Sequence, residues 1–272
     1  MRWLRQFGLL ALLSAATLVM LIPVIWAVLT SLKNPVDAFT IPPTLIFKPT
    51  LQYHYEIWFE KGFWTFLVNS LIIVFFTIVI SVPIGTMAAY ALSRIQTRQT
   101  RTLLFGLLAV RMFPHMLLAL PFFVVARFLH LFDTYLVMVL ALVAINQPFT
   151  IWLMRSFFVD VPIELDEAAR MDGCTLWQTF IRIIVPVVRP GVVVTSLFSF
   201  LLAYNEFLFA LVLTGTRTKT LPVAISEYGG EDITYWSLSA AGAVGIMLPI
   251  LIFMIFAQRH LIRGLTFGAV KG

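Results

Sequence analysis

Long uncharged stretches, not a short alternation of polar and apolar residues, dominate this chain. No charge lies between Arg5 and Lys33, Lys61 and Arg94, Asp133 and Arg155, or Asp232 and Arg259. Each stretch reaches the roughly 20 residues a helix needs to cross a bilayer. Two more, Thr102–Ala126 and Pro190–Thr216, carry one charge each, Arg111 and Glu206. The pattern predicts an all-α polytopic membrane protein with six transmembrane helices, at about 8–31, 64–92, 102–126, 134–155, 191–214 and 237–258. A polar loop, 156–190, separates the fourth span from the fifth, and a short tail, 259–272, follows the sixth. Neither a fixed-period repeat nor a low-complexity linker divides the chain, so 1–272 reads as one membrane domain.

Composition agrees. Hydrophobic residues make up 60% and charged residues 12%, with a mean hydropathy of +0.95. A water-soluble chain of this length needs far more polar surface. The net charge of +6 does not point to nucleic acid, because the basic residues flank the apolar blocks. With the N-terminus cytoplasmic, twelve Lys and Arg fall inside and six outside, which favours both termini inside. The run after Arg2 and Arg5 is longer than a signal h-region and lacks a clear cleavage site, so an uncleaved first span is expected. Cys174 is the single cysteine, which excludes an intrachain disulfide and every metal-cluster spacing.

The first outer segment, about Lys33 to Gly62, and the start of the next span hold Pro35, Pro42, Pro43, Pro49, Tyr53, Tyr55, Trp58, Phe59, Phe63 and Trp64. An interfacial belt with a short surface helix explains this composition. A contact surface for an external protein is the alternative.

The 156–190 loop carries the most specific signal. Asp160 can cap a helix whose first turn holds Pro162 and Glu164. Asp166 and Arg170 stand four apart and can pair. Glu167 lacks such a partner, and Ala168 with Ala169 offers a shallow face to another protein. Asp172-Gly173 ends the helix in a turn. Thr175 and Gln178 form a capping box for a second short helix that ends before Pro186. An ordinary connector would also carry caps.

Glu167-Ala168-Ala169, Asp172-Gly173, Ile183 and Pro186 together resemble the EAA loop of ABC importer permeases. Cys174 stands where that family usually has alanine. Nearly the whole chain is similar to the carbohydrate (maltose-type) subgroup of these binding-protein-dependent inner-membrane components. Asn69-Ser70-Leu71, Met112-Phe113-Pro114, Pro148-Phe149, Trp152 and Phe157-Phe158 carry that likeness. So does Tyr204-Asn205-Glu206-Phe207, where tyrosine replaces the usual tryptophan. Arg263-Gly264-Leu265-Thr266 and Gly268–Gly272 resemble the C-terminal tail of one permease partner, which in the family reaches the ATPase dimer. The resemblance implies a MetI-like permease fold in a bacterial inner membrane. It also implies that Glu164, Glu167, Ala168, Ala169, Asp172 and Gly173 belong to a coupling helix docking on an ATPase subunit. The implied partners are a second permease subunit, two ATPase subunits, an extracytoplasmic solute-binding protein, a sugar and membrane lipid. No cofactor is expected in this chain, since ATP and Mg would bind the ATPase subunits.

A charge near the bilayer centre costs about 2.5–3.5 kcal/mol on insertion scales, so Arg111 and Glu206 must face protein or water. A buried pair or carbonyl contact holding the bundle together accounts for them as well as a transport role does. In the functional reading they border a translocation route with His115, Asn146, Gln147, Tyr204 and Asn205. Amides, an acid and aromatic faces are what a sugar needs. Pro114, Pro121 and Pro148 interrupt the spans nearby and free backbone groups to line a cavity.

GxxxxGK[ST], HExxH and GxSxG do not occur, so the chain has no phosphate loop or hydrolase nucleophile, and an enzyme is not expected. An ion-coupled secondary transporter is the alternative, but it predicts repeats and several intramembrane acids where only Glu206 stands.

Overall fold

The computed structural model describes the backbone of residues 2–229 and 233–266, with side chains described over 6–229, 235–256 and at 258. The described elements run in order α1 (Arg2–Ser31), α2 (Pro35–Ala38), α3 (Gln52–Tyr55, continuing as a π-helical turn Glu56–Glu60), α4 (Phe63–Arg94), α5 (Arg98–Met112), α6 (His115–Phe128) and α7 (Tyr135–Val159). There follow α8 (Glu164–Met171), α9 (Leu176–Thr179, continuing as a π-helical turn Phe180–Ile184), α10 (Val185–Val187), α11 (Arg189–Tyr204), α12 (Leu208–Leu213), α13 (Leu221–Ser226) and α14 (Ile233–Thr266). No strand occurs among the described residues. The chain forms two compact units, Met1–Phe66 with Val223–Pro249, and Leu67–Pro222 with Ile250–Gly272.

In the first unit, α1 is apolar on all sides, and every residue from Gln6 to Trp26 is exposed. Lys33, just past its end, is 1% exposed. Its ammonium lies 4.8 Å from the Trp26 ring centroid and 5.1 Å from that of Phe47. Aromatic faces thus take a charge that water would otherwise solvate. A short helix is present in this segment as α3 and its π-helical turn. Trp58 packs on Phe63 and Trp64 at 6.2 and 5.4 Å between centroids, and Gly245 lets its ring approach the α14 backbone where any side chain would collide.

Four helices are long and apolar enough to cross a membrane, or up to six if each of two bent pairs is one span. Of the interruptions expected at Pro114, Pro121 and Pro148 only that at Pro114 forms, and the third and fifth spans are the two that break. The third is broken, with α5 and α6 meeting at 90°. Pro114 has no N–H to continue α5 and pushes Phe113 into an extended conformation, φ −68° and ψ 134°. In the fifth, α11 ends at Tyr204 and the short α12 resumes at Leu208. On its other side, the segment Leu176–Val187 meets α11 at 78°. By contrast Pro83, Pro121, Pro148 and Pro249 lie inside helices that continue through them. Helix α14 runs past the expected end at 258 to Thr266. The side chains of 259–266 and all of 267–272, where most of the tail resemblance falls, lie outside the described residues.

In the second unit, α7 supplies the core. It packs against α5, α11 and α12 and buries twelve residues, among them Asn146 and Thr150. At its C-terminal end Ala89, Ile151, Met154, Phe158, Phe180 and Ile184 form one buried cluster. At its N-terminal end Asp133, in the left-handed region at φ 57°, gathers the segment after α12. Its carboxylate accepts the N–H groups of Gly215, Arg217 and Thr218 at 2.8, 3.1 and 2.9 Å and the Thr218 hydroxyl at 2.7 Å. Burial pushes this carboxyl up, but those hydrogen bonds outweigh it and hold its pKa below the ordinary 3.8.

Candidate functional site

The 156–190 loop folds as two short helices joined by a tight turn. Glu164, Asp166 and Glu167 occupy the first turn of α8, where a helix favours negative charge. The expected Asp160 cap does not form, because the helix starts later, with Ile163 at the N-cap position. Gly173 adopts φ 85°. The N–H groups of Gly173 and Cys174 donate to the carbonyls of Arg170 and Ala169 at 3.0 Å each. This is a Schellman closure, and it satisfies carbonyls that would otherwise be orphaned. The Thr175–Gln178 capping box forms as expected. The second helix does not stop before Pro186, since its π-helical turn leads directly into α10, which contains that proline.

Two further expectations are corrected here. Asp166 does not pair with Arg170. It is 5% exposed, accepts the Tyr90 hydroxyl, and lies 2.8 Å from Arg94 Nη2 in a close ion pair. Arg94 Nη1 also donates to the carbonyls of Phe158 and Val161 at 3.2 and 3.1 Å. A fixed guanidinium fork suits such a junction of three chain segments. The small-residue face is also narrower than expected. Ala169 is buried against its own chain and only Ala168 is exposed, beside exposed Glu164, Glu167, Asp172 and Gly173.

The seven polar residues of the spans do not share one setting. Arg111 and Glu206 do not pair. The Arg111 guanidinium lies 4.8 Å from the Phe149 centroid, while Glu206 Oε1 accepts the Phe209 N–H at 3.1 Å and so caps α12 across the break. His115 opens α6, with its ring 6.2 Å from that of Phe209, so His115 meets the ring and Glu206 the backbone of one residue. Asn205 is exposed and turns its amide back to the Leu201 carbonyl at 2.8 Å. Tyr204 is 1% exposed, and its ring stacks on Phe200 at 5.3 Å and 9°.

Asn146 and Gln147 lie apart from these, in a seam of α4, α7 and α11. The Ser81 hydroxyl donates to Gln147 Oε1 at 2.9 Å, and Thr150 Oγ1 is 3.4 Å from both Ser81 Oγ and Ser199 Oγ. Gly85 keeps this seam close, because a Cβ there would strike Thr150. The buried Nδ2 of Asn146, Nε2 of Gln147 and hydroxyl of Tyr204 have no hydrogen-bond partner among the described residues. Each can therefore donate to a further acceptor. No group of three His, Cys, Asp or Glu among the described residues could hold a metal ion.

Sequence reasoning missed Tyr90 and Arg94 as partners of the loop. Their i, i+4 spacing at the end of an apolar span was the available signal. It also missed the break at Asn205–Phe207, which no proline marks.

Residues 81–267 match the family model described as binding-protein-dependent transport system inner membrane component. The chain belongs to that family and is a permease component of an ABC transport system, not an enzyme. That membership sets aside the ion-coupled alternative. The probable ABC transporter permease protein y4oR of Sinorhizobium fredii is 38% identical over 253 residues, 93% of this chain and 91% of that protein. The trehalose transport system permease protein SugB of Mycobacterium tuberculosis is 38% identical over 260 residues, 93% of each. A solved bacterial ABC transporter involved in import of the acidic polysaccharide alginate shares the fold. Its TM-score is 0.73 at 24% identity, covering 94% of this chain and 96% of that one.

Proposed function

We propose that this chain forms half of the translocation pathway of an ATP-driven importer for a sugar or sugar derivative, with both termini cytoplasmic. Helix α8 serves as the coupling helix. Glu164, Glu167, Ala168, Asp172 and Gly173 face an ATPase subunit, and Ala169 seats the helix on its own protein. The observation that carries this reading is α8 itself. It is a short helix closed at its C-terminus by backbone bonds, anchored through Asp166 and Ala169, with Glu164 and Glu167 of its first turn exposed. A rigid, partly free helix can receive a push without unfolding.

In this reading a second permease subunit completes the pore, two ATPase subunits hold ATP and Mg, and a solute-binding protein delivers the ligand. The relatives named for trehalose, sulfoquinovosyl glycerol and diacetylchitobiose support a sugar ligand. Arg111, His115, Asn205 and Glu206 border the route at the two helix breaks. Tyr204, Asn146 and Gln147 add buried donors without an acceptor among the described residues, which a ligand hydroxyl or a second conformation can satisfy.

The test is reconstitution of the chain with its genomic neighbours in proteoliposomes. Uptake requires ATP and the binding protein, and Glu167→Arg abolishes copurification of the ATPase subunit. Uptake without ATP, or undiminished association in Glu167→Arg, overturns the reading. Replacing Asn205 and Glu206 together with alanine impairs uptake while association persists. Wild-type uptake in that double variant removes them from the pathway.

A further inference from the structure

Helix α4 is fastened at both ends to segments distant in sequence. At its C-terminal end, Tyr90 and Arg94 hold Asp166 of α8, and Arg94 also holds the last carbonyls around the end of α7. Asp166 and Ala169 are the only buried residues of α8, so Asp166 is its polar grip on the rest of the chain.

At the other end, Asn69 Nδ2 donates to the carbonyls of Arg217 and Lys219 at 3.2 and 3.0 Å. Its Oδ1 accepts the Tyr135 hydroxyl at 2.6 Å, and Ser70 Oγ accepts the Leu221 N–H at 2.8 Å. Both side-chain functions of Asn69 are used, and Asn69 and Ser70 are each 2% exposed. The same 215–221 segment is held from its other side by Asp133.

Between these ends α4 is unbroken despite Pro83. At 1.5 Å per residue, Asn69 and Arg94 stand about 38 Å apart along the axis. In the middle, Gly85 packs against Thr150, and the Ser81–Gln147 bond can be exchanged for others without exposing a charge. That contact permits a small shear of α4 on α7.

We propose that Tyr90 and Arg94 are positioning residues that make α4 the rod carrying movement of α8 to the 215–221 segment on the opposite side of the membrane. The proposal rests on the reading of α8 as the coupling helix. In it, docking on the ATPase is the task of Glu164 and Glu167, while delivery of the movement belongs to the Asp166 junction. The rod bypasses the chain-adjacent route through α9 and α11, which is bent by 78°.

The experiment uses the full reconstituted importer in a Cys174→Ala background, with Thr216→Cys on the exposed part of the segment as the reporter. The rate at which a membrane-impermeant maleimide modifies this thiol is measured with and without ATP. ATPase association and uptake per ATP hydrolysed are measured in parallel. Arg94→Ala keeps the ATPase subunit bound but loses the ATP-dependent change at position 216. Its uptake per ATP falls by about 5- to 150-fold, the range of ordinary coupling between sites. Arg94→Lys, which retains the charge but not the fork, recovers part of both. Tyr90→Phe, whose ring still packs on Phe158 and Phe180, reproduces the loss in smaller measure and serves if Arg94→Ala fails to assemble.

An ATP-dependent change that persists in these variants overturns the proposal. So does loss of ATPase association in Arg94→Ala, which would make Arg94 part of the docking surface. Failure of the docking reading is seen separately, as intact association in Glu167→Arg.

Discussion

Helices α1 and α7 are both apolar and long enough to cross a bilayer, yet they have opposite surroundings. Every residue of α1 from Gln6 to Trp26 is exposed, whereas α7 buries twelve of its 25 residues. The difference lies in the kind of residue. The exposed length of α1 is rich in leucine, and its polar side chains are few: Gln6, Ser14 and Thr17, the last bonded back to the Leu13 carbonyl at 2.8 Å. Helix α7 carries Asn146, Gln147, Pro148 and Thr150 in its middle, and these need protein partners. Inside a membrane, burial is not rewarded by removing apolar surface from water, because lipid is equally apolar. Close packing, small residues and hydrogen bonds decide which helices lie within the bundle.

The sharpest way to break this contrast is a pair of truncations. Met154 on α7 is fully buried, and Met154→Ala should cost about 2–5 kcal/mol of stability, as cavity-forming changes do. A loss below 0.5 kcal/mol in detergent unfolding would show that α7 is not the core. Next in size is Gly191→Leu. A Cβ at Gly191 would stand 2.5 Å from the Phe157 ring of α7, so overpacking should cost about 1–3 kcal/mol. A thermal midpoint equal to wild type would mean that α11 does not approach α7 so closely.

A smaller effect is expected from Ser81→Ala, which removes the bond to Gln147. Interhelical hydrogen bonds in membranes average about 0.6 kcal/mol, and unfolding by denaturing detergent is the measurement. A loss several times larger would make the seam a principal support of the fold. The smallest is Leu18→Ala on α1, expected to stay within about 0.5 kcal/mol as exposed substitutions do. A loss comparable to that of Met154→Ala would show that α1 is sheltered by its own chain.

Much of this was legible in the residues. The apolar blocks predicted the helices, Pro114 stood where the third span breaks, and the Thr175–Gln178 box and the Asp172-Gly173 turn formed as read. These are local signals, in which neighbours in sequence fix the backbone. What failed was long-range. Asp166 had a candidate partner four residues away in Arg170, yet it chose Arg94, which no spacing rule connects to it. A buried pair of Glu206 and Arg111 was one open reading, but each found a nearer neighbour: a backbone N–H for one, the Phe149 ring for the other. Asp160 met the rule for a cap and was passed over because the helix starts later. Proline content alone also misled, since Pro148 leaves α7 continuous while the Asn205–Phe207 break contains no proline.

The turn after α8 has a practical consequence. It is held by backbone groups alone, through the Cys174 N–H and the left-handed Gly173, and the side chain of Cys174 takes no part in it. That side chain is the chain's single thiol and is partly exposed. A dye or heavy atom attached there would leave the turn closed and tag each molecule once. Bleaching steps in single particles would then count how many copies of this chain an assembled transporter contains.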